Sequence, residues 1–224
     1  LMLVVPEPAM VLDGTEVVAV HAGQVDPADV EGGARGLAIP KLAALAAAQA
    51  AHNPSPLAIA AVPTTTYQTL VRAVSSVRTS YPTLALLVRS HDGVGAVPLT
   101  FPATNRLEAD LARLAASGGE AKPAAPPLQM AMMISADRVM LFSFDGREGS
   151  PGQPLTQVAL ADVAAAATEV ATALAAVAAR NPAAASPRQL IVMAPPGAPL
   201  ATVLPLMAAA RASFPELVLS TGIN

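Results

Sequence analysis

Residues 57–89 return near the C-terminus as a second stretch of the same design. With a constant shift of 133 positions, the apolar positions of one match those of the other. Apolar residues three and four apart give a helix one apolar stripe, and a proline and a short apolar strand follow in both copies. The sequence therefore predicts one strand, helix and strand unit that occurs twice, with these stripes: Tyr67, Leu70, Val71, Val74, Val77 and Tyr81, then Leu200, Val203, Leu204, Met207, Ala210 and Phe214.

The flanking residues extend the repeat. An alanine-rich helix ends at Asn53-Pro54 in the first copy and at Asn181-Pro182 in the second, because proline cannot continue a helix. Two short strands around an Asp-Gly turn precede each of these helices, at Asp13-Gly14 in the first copy. Pro40 suits the first position of the first helix. Each copy is thus predicted to follow the order ββαβαβ.

The predicted fold class is α/β, of the α+β kind, with two repeats of a ββαβαβ domain. Each repeat is expected to place two helices on a small mixed sheet. The first domain spans residues 1–101 and the second spans residues 128–224. Residues 102–127 are predicted to be a linker with one short helix, capped by Asn105 and carrying an apolar stripe of Leu107, Leu111 and Leu114.

Composition excludes several functions. The net charge is -3 and no run of Lys or Arg occurs, which argues against a nucleic-acid surface. The chain has no cysteine, so neither a disulfide scaffold nor a thiolate metal site is possible. His21, His52 and His91 have no serine or carboxylate at a telling spacing, and Asp26, Asp29 and Glu31 do not match a calcium loop. We therefore predict no catalytic, cofactor-binding or metal-binding residue, and leave a small-molecule enzyme as a minor alternative.

The repeated unit resembles the periplasmic domain of the ExbD/TolR family of biopolymer-transport proteins. The resemblance covers both halves of the chain and rests on the element order and on Thr66-Tyr67-Gln68-Thr69-Leu70-Val71 at the start of a helix. That helix in the family opens with an Asp, two or three residues, then Pro-Tyr-Gly. The first copy has Tyr67 but Thr66 where the family has Pro, and the second has Pro199 but Leu200 where the family has Tyr. The Asp is missing from both copies.

The resemblance implies a non-enzymatic module in the periplasm, anchored in the inner membrane by a segment before Leu1. The implied partners are an ExbB/TolQ-like motor subunit and an envelope protein or peptidoglycan, with the proton-motive force as the energy source. The alternative is a structural scaffold of an envelope complex that transmits no force. Tyr67 matches the family's tyrosine, so it is either a packed structural residue or a partner contact. The stretch from Val158 to Ala179 is alanine-rich and carries Asp162 and Glu169, which argues against a membrane span.

The family also forms homodimers, and we expect the two copies to pack as an intrachain pseudo-dimer or the chain to form a homo-oligomer. The last strand of the second copy, with Leu217 and Leu219, is expected to have an open edge that another strand covers. Two occupants are possible for that edge: residues 94–101 of the same chain or an extended peptide from a partner. Pro98 is expected to confine residues 94–101 to a sheet edge or a strand end. Pro205 predicts a kink or a later start in the second copy's last helix.

Overall fold

The computed structural model describes residues 1–90, 93–100, 128–182 and 188–220 of the chain. We call residues 1–100 the first half and residues 128–220 the second half. Four α-helices are described: α1 (Pro40–Ala50), α2 (Tyr67–Val77), α3 (Val163–Arg180) and α4 (Leu200–Ala210). The strands of the first half are β1 (Met2–Val5), β2 (Ala9–Leu12), β3 (Thr15–His21), β4 (Gln24–Val25), β5 (Leu57–Ala61), β6 (Leu84–Ser90) and β7 (Gly93–Thr100). Those of the second half are β8 (Gln129–Ile134), β9 (Arg138–Ser143), β10 (Gly149–Ser150), β11 (Gln153–Pro154), β12 (Thr156–Ala159), β13 (Gln189–Met193) and β14 (Glu216–Leu219).

Twelve of these strands form one mixed sheet in the order β12-β9-β8-β13-β14-β7-β6-β5-β1-β2-β3-β4. Within each half, a core of three neighbouring strands is parallel: β8, β13 and β14 in one, and β1, β5 and β6 in the other. The predicted α+β class is therefore confirmed, with four helices and a large mixed sheet. The two small separate sheets that the sequence predicts are replaced by one sheet, because β7 pairs with a strand of each half.

Local sequence signals explain where several elements begin and end. Asp13 and Gly14 have φ of 48° and 81°, and they join β2 and β3 as a two-residue hairpin turn. Pro40 stands at the start of α1, where its missing N–H costs no hydrogen bond. Asn181 follows α3 as its C-cap. These predicted boundaries are confirmed to within a few residues.

All four helices lie on one face of the sheet. Their buried side chains and those of the strands beneath them belong to one continuous apolar core. α3 contributes Ala166, Val170, Leu174 and Val177 to this core. By length and composition alone α3 could cross a membrane, with a mean hydropathy of 1.4 over 18 residues of which 22% are buried. In the fold it lies along the sheet beside α4.

Two expectations about proline are corrected. β7 lies inside the sheet and not at its edge, although Pro98 is part of it. β7 pairs with β14 only at Leu99 and Thr100, which follow Pro98. The N–H that Pro98 lacks is therefore not needed for the pairing between β7 and β14. α4 contains Pro205 and yet starts at Leu200, in register with Tyr67 of α2, so the alternative of a later start is wrong, while the kink stays a prediction. The predicted linker helix, Phe101 and His91 lie outside the described residues.

Candidate functional site: the junction of the two halves

The starts of α2 and α4 meet and satisfy each other's free backbone donors. The N–H groups of Tyr67 and Leu200, the first residues of the two helices, donate to Ala198 O at 2.8 Å and Thr65 O at 2.9 Å. The next pair of bonds is also reciprocal: Gln68 N–H donates to Pro196 O and Ala201 N–H donates to Pro63 O, both at 3.0 Å. The first N–H groups of a helix have no partner within it, so each half caps the helix of the other. We call this contact the junction.

The repeat spacing relates every one of these bonds to its mate. Each donor and each acceptor in one half lies 133 positions from its equivalent in the other. At the centre, Thr66 and Pro199 form an antiparallel bridge, and they too are 133 positions apart. Four hydrogen bonds around one self-paired position are the pattern of a local twofold axis, as at an isologous dimer interface.

Tyr67 breaks this symmetry. Its side chain is 1% exposed, and its hydroxyl lies 2.8 Å from two carbonyl oxygens of the second half, those of Val192 and Ser220. One hydroxyl hydrogen donates to one of them at a time. Burial raises the pKa of Tyr67, so the group stays a neutral donor. The equivalent residue, Leu200, is fully buried and has no polar atom to return the contact.

The start of α2 is positioned by the loop after β3. Thr66 Oγ1 accepts the N–H of Thr69 at 3.4 Å, and both its own N–H and its hydroxyl reach the carbonyl oxygen of Gly23. Gly23 has a φ of 73°, and a Cβ there would lie 2.1 Å from Thr64 O. Only glycine therefore allows this loop to reach the junction.

β7 joins the halves at the level of the sheet. It pairs antiparallel with β6 of its own half and parallel with β14, where Leu217 lies opposite Leu99. Arg211 adds a bond from Nη1 to the carbonyl oxygen of Ala96, at 2.6 Å. Leu217 and Leu219, predicted as possible partner contacts, are 0% and 2% exposed. The strand that covers β14 in this structure is the internal one.

A row of polar side chains along α2 holds the loop before α1. Arg72 is 3% exposed and donates to two carbonyl oxygens, Gly36 O at 3.1 Å and Ala34 O at 2.6 Å. Burial lowers the pKa of Arg72, which has carbonyl partners in place of a carboxylate. Gln68 also donates to Ala34 O, and Ser76 Oγ accepts the N–H of Ile39 at 2.8 Å. Sequence reasoning missed this role, because polar residues three and four apart are typical of a solvated helix face.

Two of the carboxylates singled out from the sequence have local partners. Asp26 accepts the N–H of Ala28, and Asp29 forms an exposed ion pair with Lys41 at 2.8 Å. Within residues 1–90, 93–100, 128–182 and 188–220, no three His, Asp or Glu side chains lie together where they could hold a metal ion. The most enclosed carboxylate among the described ion pairs is Glu148, which accepts from Arg180 at 2.6 Å and from Asn181 at 2.7 Å. The bond from Arg180 is the main cause that lowers the pKa of Glu148.

Comparison of the chain with protein-family models, curated proteins and solved structures finds no match.

Proposed function

We propose that the chain is a non-enzymatic periplasmic module of an ExbD/TolR-like subunit, which couples a proton-driven inner-membrane motor to the cell envelope. In this proposal the chain consists of two ββαβαβ repeats fused as an intrachain pseudo-dimer. Its partners are an ExbB/TolQ-like motor subunit and an envelope protein or peptidoglycan. A membrane anchor precedes Leu1.

The reciprocal capping at the junction carries this proposal. A dimeric module needs an interface that is self-complementary, and the four bonds between the starts of α2 and α4 are paired by the repeat spacing. The sheet adds a second link, since β7 pairs with both halves. Separating the halves would leave four backbone donors and the Tyr67 hydroxyl without these partners. Such a junction suits a module that bears a mechanical load. The buried residues at the junction are apolar or hydrogen-bonded to the backbone, which favours a structural role over catalysis.

A scaffold without force transmission is the second candidate. The observation that favours it is the continuous sheet, because twelve hydrogen-bonded strands hold the two halves in one fixed relative orientation. A moving subunit would need part of this arrangement to open. The two candidates therefore differ in whether the junction responds to the motor's energy source.

The location is testable because the chain has no native cysteine. Met2 is 46% exposed, so Met2→Cys in the full-length gene product provides a surface thiol. A membrane-impermeant maleimide should label it in intact spheroplasts, and disruption of the inner membrane should add nothing. Labelling only after that disruption would place the chain in the cytoplasm and contradict the proposal.

The partner and the mode of action need a second measurement. A photo-crosslinking residue at Phe144, which is 54% exposed, should capture a motor subunit, an envelope protein or peptidoglycan in the native host. For a motor module, a protonophore should change the crosslinking yield, whereas for a scaffold the yield should stay the same. Crosslinks to cytoplasmic proteins alone would contradict both candidates.

A further inference from the structure

Three methionines lie side by side on the face of the sheet that carries none of the four described helices. Met133 of β8 is opposite Met140 of β9 and opposite Met193 of β13 in the strand register. Directly opposed residues of neighbouring strands point to the same face, so the three side chains form one row across three strands. Met133 and Met193 belong to an apolar cluster that is separate from the core beneath the helices. We call Met133, Met140 and Met193 the methionine row.

The strand spacing lets the three sulfur atoms of the row approach one point. Neighbouring strands lie about 4.8 Å apart, and Met133 is the middle member, with one methionine on each side. Methionine is unbranched and flexible, so the side chains of Met140 and Met193 can lean toward Met133. A single small ion above Met133 is therefore within reach of all three thioethers.

The row is more open to solvent than the methionines on the other face of the same strand. Met133 and Met140 are partly exposed and Met193 is 8% exposed, whereas Met130 and Met132 of β8 are fully buried. Met193 is the last residue of β13 and Met133 is the last but one of β8. Ligands of open sheets bind near the carboxyl ends of parallel strands, which is where the row lies.

The first half has the same crossing of three strands without a methionine. Val4 of β1 is opposite Val11 of β2 and opposite Ala60 of β5, as the middle member of the methionine row is opposite its two neighbours. The repeated fold is thus built at this place from two valines and an alanine. It does not require three methionines, so their presence in the second half has another explanation.

The chemistry of the row selects one class of ligand. Thioether sulfur is a soft and uncharged ligand that favours Cu⁺, while hard cations such as Ca²⁺ and Mg²⁺ require oxygen ligands, which the row does not offer. The chain has no cysteine, so methionine is its only source of sulfur. We propose that the methionine row coordinates one soft monovalent cation of the Cu⁺ type through the Sγ atoms of Met133, Met140 and Met193. This inference rests on the fold and is independent of the proposed function.

Methionine methyl resonances in the full chain distinguish coordination from packing. Met133 and Met193 also pack with Phe142, which is an ordinary use of methionine in a core. Ag⁺ is the probe, since it shares the charge and softness of Cu⁺ and keeps one oxidation state in air. On titration of the chain labelled with ¹³C at the methionine methyl groups, the three resonances of the row should shift together and saturate at one ion per chain. Met2, which is 46% exposed, is the control and should not shift at these concentrations.

Two results of this titration would overturn the proposal. A row that does not shift would mean that its methionines serve packing alone, and a shift of Met2 at the same concentrations would mean that Ag⁺ binds any accessible thioether. Zn²⁺ at the same concentrations should shift none of these resonances. An equal response to Zn²⁺ would contradict a site that selects soft monovalent ions.

A matched pair of variants tests the sulfur atoms themselves. Met133→Leu keeps the volume and the apolar character of the middle side chain but removes its sulfur. It should weaken the affinity for Ag⁺ roughly tenfold or more, since even partners outside the ligand set change metal affinity by such a factor. Met2→Leu should leave the affinity unchanged, and circular dichroism checks that both variants keep the fold. Full affinity in a folded Met133→Leu chain, or an equal loss in both variants, would overturn the proposal.

Discussion

α2 and α4 are helices of the same length at equivalent positions, but they are covered in different ways. Nine of the 11 residues of α2 are buried, against five of the 11 residues of α4. The row Gln68, Arg72 and Ser76 on α2 becomes Ala201, Pro205 and Ala209 on α4. The first row bonds to the long loop before α1, whereas α4 packs against the longer helix α3. One backbone arrangement is thus held by polar bonds in one half and by apolar contact in the other.

This difference indicates that the polar row of α2 and the loop before α1 form one structural unit. The second half passes from β12 to α3 in three residues and has no loop at this place to hold. Without the loop's carbonyl groups, a buried arginine there would have no partner, and an alanine-rich face is the better solution. Substitutions at equivalent positions of α2 and α4 therefore test whether α2 depends on the loop before α1 and α4 depends on α3.

The largest expected effect is that of Arg72→Ala. It removes the bonds to Gly36 O and Ala34 O, and Ala34 O keeps only the Gln68 side chain of the two donors on α2, so the free energy of unfolding should fall by about 3 kcal/mol. Urea titration followed by circular dichroism measures the change. A loss below about 1 kcal/mol for Arg72→Ala would mean that the loop is held by other contacts.

Pro205→Ala acts on the other helix and in the opposite direction. Alanine restores an N–H that can donate to Ala201 O and relieves the crowding that proline causes inside a helix. We expect the free energy of unfolding to rise by about 2 kcal/mol, with a higher melting temperature in calorimetry. An unchanged or lower melting temperature would indicate that the proline ring contributes more to stability than the missing bond costs.

Tyr67→Phe tests the asymmetric contact at the junction. The ring stays and Val192 O keeps the N–H of Ser220 as a donor, but the hydroxyl's hydrogen bonding to the carbonyl oxygens of Val192 and Ser220 is lost, so unfolding should become easier by about 1.5 kcal/mol. Hydrogen exchange should rise at the amides that cross the junction, those of Tyr67 and Leu200. If exchange there stays slow, the backbone bonds hold the halves together without the hydroxyl.

Glu148→Gln should have a smaller effect that depends on pH. The folded state lowers the pKa of Glu148, so the carboxylate stabilises the fold above its ordinary pKa of about 4.3, and this stability is lost as the pH falls through the lowered value. The wild-type chain should therefore exceed the variant in melting temperature at neutral pH, and the two should converge in acid. A difference that is constant across this range would contradict a charge effect.

The smallest expected effect is that of Tyr81→Phe. The hydroxyl of Tyr81 is buried and has no hydrogen-bond partner among the residues that the structure describes, and the equivalent residue of the second half, Phe214, has no hydroxyl. Removal of the hydroxyl should leave the free energy of unfolding unchanged or raise it by about 0.5 kcal/mol. A clear loss of stability would reveal an ordered water at that hydroxyl and would separate Tyr81 from its counterpart.

Apolar spacing predicted the elements well because it depends on neighbours in the chain. The stripes of α2 and α4 and the turn at Asp13-Gly14 lie where the sequence indicates. The sequence left open whether residues 94–101 or a partner peptide pairs with the last strand, since the pairing of Leu99 with Leu217 joins residues far apart in sequence and no local pattern decides between the two. Burial of Arg72 was missed for a similar reason: its partners are backbone carbonyl groups, which every residue possesses.

β7 lies between the two halves in the sheet, beside a junction whose backbone hydrogen bonds follow a twofold pattern. A strand has a direction, so a rotation by 180° does not superpose β7 on itself. β7 therefore makes the two halves of the chain inequivalent. A true homodimer offers a partner two equivalent ways to bind, worth about 0.4 kcal/mol as RT ln 2. This chain gives up that statistical advantage and presents each surface once. Any partner it meets therefore arrives in one orientation.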